Sequence, residues 1–385
     1  MRVLFLTPWY PDESSSFHGI FVRDQASAVN GLHEVWVVSS KIDYRRFGFL
    51  SSNVIESEYK GMREFRLKIK KSFLIFNQLN YFLLTVWHTW RIARSFEPEI
   101  IHGNIGYPGA FWAWCISKIF NRPFVITEHT RIINNFRTPV HKFLTVFFLK
   151  RASVVISVSK WQANEIFSLL AIKPLVIPNI IYVERFEKVR LPPPSRLAQL
   201  GFLGSMNTPV KGLDILLQAV APICQDFILH IGGDGILLEE YKSLAHKLDI
   251  YEKCIFYGFV PPEQVPEFMS RLHFFVSASR VETFGIAMVE AMAAGLPVVA
   301  TNSGGPQDFV NSENGILVLR ENIGELQSGI KSMIDKYQFY NSSSIRAFSK
   351  KHFSPNNFLV KINRVYEVGT VKDASKNSAY RHSSR

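Results

Sequence analysis

Two glutamates, Glu282 and Glu290, stand eight positions apart within Ser277 to Ala300, a segment otherwise made mostly of small and apolar residues. It reads as a strand end, a loop, a helix, and then Gly295 and Pro297 leading into another buried strand. A helix opening near Thr283, Phe284 and Gly285 offers backbone N–H groups and the positive end of its dipole, an arrangement suited to phosphate. Gly285 lets a phosphate or hydroxyl approach the main chain closely. Glu282, in the loop, can accept hydrogen bonds from hydroxyls. Glu290, about two turns into the helix, is an acid among apolar neighbours, where a carboxylate is costly unless it binds something. Ribose hydroxyls would supply a partner; a capped helix with a surface glutamate is the alternative.

Other chemistry-bearing residues also sit where short β-branched runs end. Gly204-Ser205 opens a loop that reaches Lys211-Gly212 after the run Leu200 to Leu203. Gly232-Gly233-Asp234-Gly235 follows Phe227 to Ile231, and Tyr257-Gly258-Phe259-Val260 closes Cys254 to Tyr257. In the first half, Gly19 precedes a helical pattern from Ile20 to Val29, and His129 follows Phe124 to Thr127. Further runs are Val3 to Thr7, Glu34 to Ser39, Ile100 to His102, Val154 to Val158, Leu175 to Ile177, Phe274 to Ser277, Pro297 to Ala300 and Gly315 to Val318. Alternation of such runs with helix-length segments predicts parallel sheets with crossover helices, one complete doubly wound α/β unit per half. The stiff segment Ile180 to Leu197, ending in three prolines, is the expected boundary, with a ligand cleft at the carboxyl ends of the strands. After about residue 369 the polar composition predicts a tail without structure.

The Glu282 to Glu290 run, with Phe-Gly inside it, resembles the E-x7-E signature of the retaining glycosyltransferases of family 4, which have the two-domain GT-B fold of facing Rossmann-like units. The resemblance spans roughly Met1 to Val368 and is most specific in the second half. It implies that Glu282 holds hydroxyls of the donor sugar, that Glu290 holds the nucleotide ribose, and that Thr283, Phe284 and Gly285 belong to the donor site. Lys211 matches the basic residue that neutralises the donor diphosphate, while Ser205 stands where an arginine is common in the family. Gly233 matches a turn beside the nucleotide, and the loop of Tyr257 and Phe259 matches the one whose backbone contacts the base. Gly19 matches a glycine near the donor phosphate, and His129 a histidine near the reacting sugar carbon. Residue by residue, the alternatives are a surface lysine, a turn glycine and a packed polar histidine.

The implied domains are residues 1–185 for the acceptor, 186–350 for the nucleotide sugar, and 351–385 as a helix crossing back to the first domain plus a polar tail. The implied reaction moves a hexose-type sugar from a UDP-, GDP- or ADP-sugar to a glycan or lipid-linked acceptor, as in bacterial surface polysaccharide synthesis. No Asp-x-Asp metal motif stands in a suitable loop, so neither a metal nor a cofactor is implied. A sugar-nucleotide epimerase or hydrolase, or a silent nucleotide-sugar-binding protein on the same fold, are the rival readings. A dinucleotide oxidoreductase fits less well, because Thr7-Pro8-Trp9-Tyr10 replaces a glycine-rich turn after the first strand.

Composition bounds the setting. Three separated cysteines point to neither a disulfide framework nor a zinc site, which favours a reducing, cytoplasmic compartment. The longest apolar-looking stretch, Leu79 to Trp90, is broken by polar residues and is shorter than the roughly 18 to 20 residues of a membrane span. Residues 1–190 carry 25 Lys and Arg against 14 Asp and Glu, leaving 19 against 18 for the remainder, so the net charge of +12 belongs almost wholly to the first half. A one-sided field suits an anionic membrane surface, a lipid-phosphate carrier or an acidic polysaccharide, and nucleic acid is not among the expected partners. Basic Arg63 to Lys71 followed by aromatic Phe73 to Trp90 would let the first half rest peripherally on the inner leaflet; a strand followed by a core helix is the other reading.

Overall fold

Each of the twelve strand-like runs is a strand in the computed structural model, which describes residues 1–13, 17–136 and 138–382. The chain forms two units, Met1–Ile180 with the chain from Phe358 onward, and Ile181–Asn357.

The first unit contains β1 (Arg2–Thr7), α1 (Ile20–Asn30), β2 (Glu34–Phe47), β3 (Ser52–Tyr59), β4 (Met62–Lys71), α2 (Leu74–Phe96), β5 (Ile100–Asn104), α3 (Gly109–Phe120), β6 (Phe124–Glu128), α4 (Pro139–Leu149), β7 (Val154–Ser157), α5 (Lys160–Leu170) and β8 (Leu175–Val176). Its sheet has the order β3-β4-β2-β1-β5-β6-β7-β8, parallel except for the antiparallel β3–β4 pair. Leu4, Leu6, Ile101, Ile126 and Val155 point from it into a core shared with Trp112, Ile116 and Ile166. The continuation of β2 beyond Ser39 and the whole of β3 went unread because they alternate polar residues on an edge that only β4 covers.

The second unit contains β9 (Ala198–Leu203), α6 (Leu213–Val220), β10 (Phe227–Gly232), α7 (Leu238–Lys247), β11 (Cys254–Gly258), α8 (Val265–Met269), β12 (Phe274–Ser277), α9 (Ile286–Ala293), β13 (Val298–Thr301), β14 (Gly315–Val318), α10 (Ile323–Lys336) and α11 (Ser342–Phe353). Its all-parallel sheet runs β11-β10-β9-β12-β13-β14. Chain progression reverses between β9 and β12, and the crevice outside the carboxyl ends of strands at such a reversal is where open α/β sheets bind ligands. The first unit reverses in the same way between β1 and β5.

The last helix, α12 (Pro355–His382), begins in the second unit and joins the first from Phe358. The Tyr366 hydroxyl lies 2.8 Å from His102 Nδ1 in β5, and Asn363 Oδ1 lies 2.8 Å from His33 Nε2. The helix runs to His382, where the polar composition had predicted a tail without structure. No glycine or proline stands between Thr370 and His382 to break it.

His102 is fully buried between Tyr366 and Thr127, and burial pushes its imidazole down to about 3, with His129 adding repulsion. Burial likewise pushes His129 down to about 3. The unfolded chain therefore binds more protons than the folded one once pH drops below the ordinary histidine value. The stability owed to neutral burial is complete above about pH 6.5 and is lost as pH falls toward 3, each histidine costing about 1.4 kcal/mol per unit. Glu128, whose carboxyl burial pushes up, offsets at most one of the two. The melting midpoint should fall by several degrees between about pH 7 and pH 5, and less in His102→Asn; a flat profile would contradict neutral burial.

Candidate functional site

Lys211 and Glu282 are 71 residues apart in sequence, yet Lys211 Nζ donates to Glu282 Oε2 at 2.6 Å. They meet because Lys211 ends the loop after β9 and Glu282 lies in the loop after β12, the two strands flanking the reversal. Glu282 is 13% exposed and Lys211 36%, so a mostly buried carboxylate shares its charge with a cation that still faces solvent.

Arg280 holds the two loops together. Its backbone N–H donates to Val210 O at 2.8 Å, and Nη1 donates to Pro209 O at 2.5 Å. The guanidinium also grips Asp214 of α6 through both nitrogens, at 2.9 and 2.6 Å. Gly212, with φ 70°, caps α6 so close to Ala278 that a Cβ would fall 2.0 Å from its carbonyl oxygen. On the other side, Glu282 N–H donates to Ser303 O at 2.9 Å and Gly305 N–H to Glu282 O at 2.7 Å, stitching the carboxylate's backbone to the loop after β13.

α9 opens beside this pair. Gly285, with φ 106°, precedes Ile286, so the cap residue itself has no side chain to set against the first backbone N–H groups of the helix. Phe284 is buried and packs on Phe309 and Phe353, with ring centroids 6.0 and 5.5 Å apart, which anchors the turn from below. Gly305 fits under it only without a side chain, since a Cβ would lie 2.6 Å from Phe284 Cα. Glu290 is the fifth residue of α9, about one turn from its start and not two, and is half-buried, as are Ile286 and Ala287. Thr283 is half-buried between the pair and the helix start.

The neighbouring strand ends lie backbone to backbone. Gly233 N–H donates to Gly258 O at 2.7 Å, and a Cβ on Gly233, at φ 134°, would fall 1.9 Å from Gly204 O. Ser205 is exposed, and its Oγ lies 3.3 Å from Asn207 Nδ2. Tyr257 turns its side chain back along the sheet, its hydroxyl 2.8 Å from His230 Nδ1, while Phe259 is exposed at the loop tip.

In the first unit, Gly19 (φ 73°) caps α1 against the Trp9 backbone, where a Cβ would lie 2.4 Å from Trp9 O. The close approach that demands glycine here is thus made by the same loop. His129 closes β6; it is 5% exposed, its Nε2 is 3.0 Å from Asn104 Oδ1, and its ring lies 4.6 Å from that of Phe21. Beside it, the buried Glu128 carboxylate accepts from the N–H groups of Gly106, His129 and Thr130, the Thr130 hydroxyl and Asn135 Nδ2, at 2.7 to 3.2 Å. A cavity of about 550 Å³ opens next to these strand ends, with Trp9, Lys41, Tyr81, Tyr107 and His141 among its walls.

Residues 19–185 match the family model described as Glycosyltransferase Family 4, and residues 184–350 match Glycosyl transferases group 1. The chain belongs to the family 4 glycosyltransferases. It is 26% identical over 321 residues to an uncharacterized glycosyltransferase of Methanocaldococcus jannaschii, covering 81% of this chain and 86% of that one. It is 28% identical over 209 residues to the N-acetylgalactosamine-N,N'-diacetylbacillosaminyl-diphospho-undecaprenol 4-alpha-N-acetylgalactosaminyltransferase of Campylobacter jejuni, covering 52% and 56% of the two chains. The crystal structure of Anabaena HepE in complex with UDP and glucose superposes with a TM-score of 0.74 at 19% identity over 95% of this chain and 99% or more of that chain's fold is matched in its nucleotide-bound forms. The glycosyltransferase thus has the GT-B fold, with two parallel-sheet α/β domains.

Reading the sequence missed Arg280, Asp214 and Gly305, although Arg280 lies within Ser277 to Ala300. An arginine two positions before a loop glutamate carries no local sign that its partner is an aspartate 66 residues earlier. In this glycosyltransferase, Arg280→Ala should release the Lys211 loop and lower kcat/KM by about 10- to 100-fold, since charge-assisted bidentate contacts are worth roughly 1.5–3 kcal/mol. Steady-state kinetics with the melting midpoint as a folding control would check this; unchanged kcat/KM would show that Arg280 does not position the loop.

Proposed function

We propose that this glycosyltransferase retains anomeric configuration and moves a hexose-type sugar from a nucleoside diphosphate sugar to a glycan or lipid-linked acceptor, without a metal ion. The observation that carries this reading is the Lys211–Glu282 pair at the start of α9. A cation and a set of helix N–H groups at one strand reversal suit a diphosphate, and a carboxylate beside them suits sugar hydroxyls. When donor binds, Lys211 exchanges Glu282 for phosphate oxygen, and the freed carboxylate accepts from the sugar. Glu290 holds the ribose, with Thr283, Phe284 and Gly285 shaping the phosphate turn. Gly233, Ser205 and the backbone at Tyr257 and Phe259 complete the nucleotide side, and Gly19 borders the phosphate.

In the reaction, the bond between the anomeric carbon and the phosphate oxygen breaks, leaving its electron pair on the nucleoside diphosphate. Lys211 and the α9 N–H groups stabilise that developing charge, and one such contact can be worth about 3 kcal/mol. The acceptor hydroxyl attacks the face the leaving group vacates, and a phosphate oxygen takes its proton. His129, which burial keeps neutral, orients a sugar and transfers no charge. The uridine nucleotide in the HepE structure makes UDP-sugars the first donors to test, before GDP- and ADP-sugars. The diphospho-undecaprenol acceptor in the Campylobacter enzyme's name supports a lipid-linked acceptor in surface polysaccharide synthesis, at the cytoplasmic face of the membrane.

Calorimetry should show Glu290→Ala weakening UDP binding by about tenfold or more, and kinetics should show Lys211→Ala lowering kcat by about 100-fold with a smaller change in KM. Because Lys211 and Glu282 touch, Lys211→Ala with Glu282→Gln should cost less than the two single losses combined. NMR of the product should show the donor's anomeric configuration. Loss of activity in EDTA restored by magnesium would contradict the metal-free scheme, and inversion would contradict the attack from the vacated face.

A further inference from the structure

Helix α2 packs Tyr81, Ala93 and Phe96 into the core of the first unit, yet it is apolar on its outer side as well. Its buried face includes Asn80, Thr85 and Thr89, and Thr85 Oγ1 lies 2.6 Å from Ser40 Oγ of β2. Its solvent face presents Phe76, Leu79, Leu83 and Trp87, each 45% to 55% exposed and spaced three or four residues apart in one stripe. The stripe does not end with the helix. Phe73 is 64% exposed and meets Phe47 at 5.0 Å, and Phe76 meets Phe49 at 6.1 Å, so the turn between β2 and β3 extends the same apolar surface. Helix α4 adds Val140 and Phe143, both about two-thirds exposed. Single exposed apolar residues are ordinary on a protein surface, but a contiguous patch of large ones marks a binding face.

Charge selects the occupant. Residues 65–96 contain six Lys or Arg and residues 129–164 another six, with no Asp or Glu in either span. Lys70 and Lys71 stand three and two residues before Phe73, and the Arg91 guanidinium lies 4.9 Å from the Trp87 ring centroid, so cations stand at both ends of the stripe. Aromatic and aliphatic groups rimmed by cations match the headgroup and upper acyl region of an anionic bilayer.

We propose that the α2 stripe, with the turn between β2 and β3 and the start of α4, docks this protein on an anionic membrane. The 550 Å³ cavity of the first unit is walled by Gln78, Tyr81 and Phe82 of α2 and by His141 of α4, so docking sets that cavity beside the lipid headgroups. An acceptor carried on a lipid would then reach it without leaving the membrane. This deepens the proposed use of a lipid-linked acceptor, yet its test reads binding and not transfer, so failure of one leaves the other readable.

The full chain should sediment with large unilamellar vesicles containing one-third phosphatidylglycerol and stay in solution with phosphatidylcholine alone. Leu79→Ser with Leu83→Ser should lower vesicle binding by about tenfold or more while leaving the melting midpoint and UDP binding unchanged. Lys70→Gln with Lys71→Gln should weaken binding to anionic vesicles at low salt, and more salt should weaken it further. Wild-type protein remaining in solution with the anionic vesicles would overturn the proposal. So would undiminished binding of the folded leucine variant, or a dimer seen by light scattering that this variant breaks, which would make a second copy the occupant.

Discussion

The short contact between Lys211 and Glu282 is the interaction on which the site depends, and it follows from strand order before it follows from either side chain. In a parallel sheet, the loops after two neighbouring strands diverge to opposite faces only where the chain reverses direction across the sheet. β9 and β12 meet at that point in the second unit, and the two charges come from the loops that leave them. Everything nearby limits how far those loops can move. Arg280 binds one loop to the other, Gly212 and Gly305 allow backbones to touch, and Phe284 anchors the turn on an aromatic cluster. A preformed pair of opposite charges gives a mostly buried carboxylate a partner at 2.6 Å. It also leaves a cation that an anionic ligand can capture by exchange instead of by new desolvation.

The first unit uses buried polarity differently. Glu128 is buried among five donors from four residues, and it fixes the turn that follows β6 as a capping group would fix a helix start. His102 and His129 are buried as neutral rings tied to neighbouring strands and to α12. These groups shape the strand ends around the cavity and carry no net charge into it from the histidines. The basic character of this unit lies at its surface, where α2 turns apolar residues outward and cations border them.

Much of this was legible in the sequence, for identifiable reasons. Strands buried on both faces, such as Val35 to Val38 and Phe274 to Ser277, are continuous apolar runs bounded by turn residues, and they stand out. β3 and the outer part of β2 do not, because β3 is an edge strand and the end of β2 pairs with β4 alone, so polar residues interrupt both. Glu282, Glu290 and Lys211 stand out in the sequence because their spacing resembles a family signature, and the structure adds the contact between Lys211 and Glu282. Arg280 with Asp214, and Gly305 beneath Phe284, were not legible, since pairing across 66 residues and tight backbone packing leave no local pattern. The aromatic run Phe73 to Trp90 was visible, but which side faces outward was not: Tyr81, Ala93 and Phe96 are buried in the core, and Thr85 meets Ser40 of β2.

The central claim is that the Lys211–Glu282 pair is the place a donor diphosphate enters. A crystal structure with a UDP-sugar bound in the presence of EDTA tests it most directly. The account predicts a phosphate oxygen within hydrogen-bond distance of Lys211 Nζ and of the first N–H groups of α9, with Glu282 turned to the sugar. Diphosphate bound elsewhere, with Lys211 still on Glu282, would contradict it.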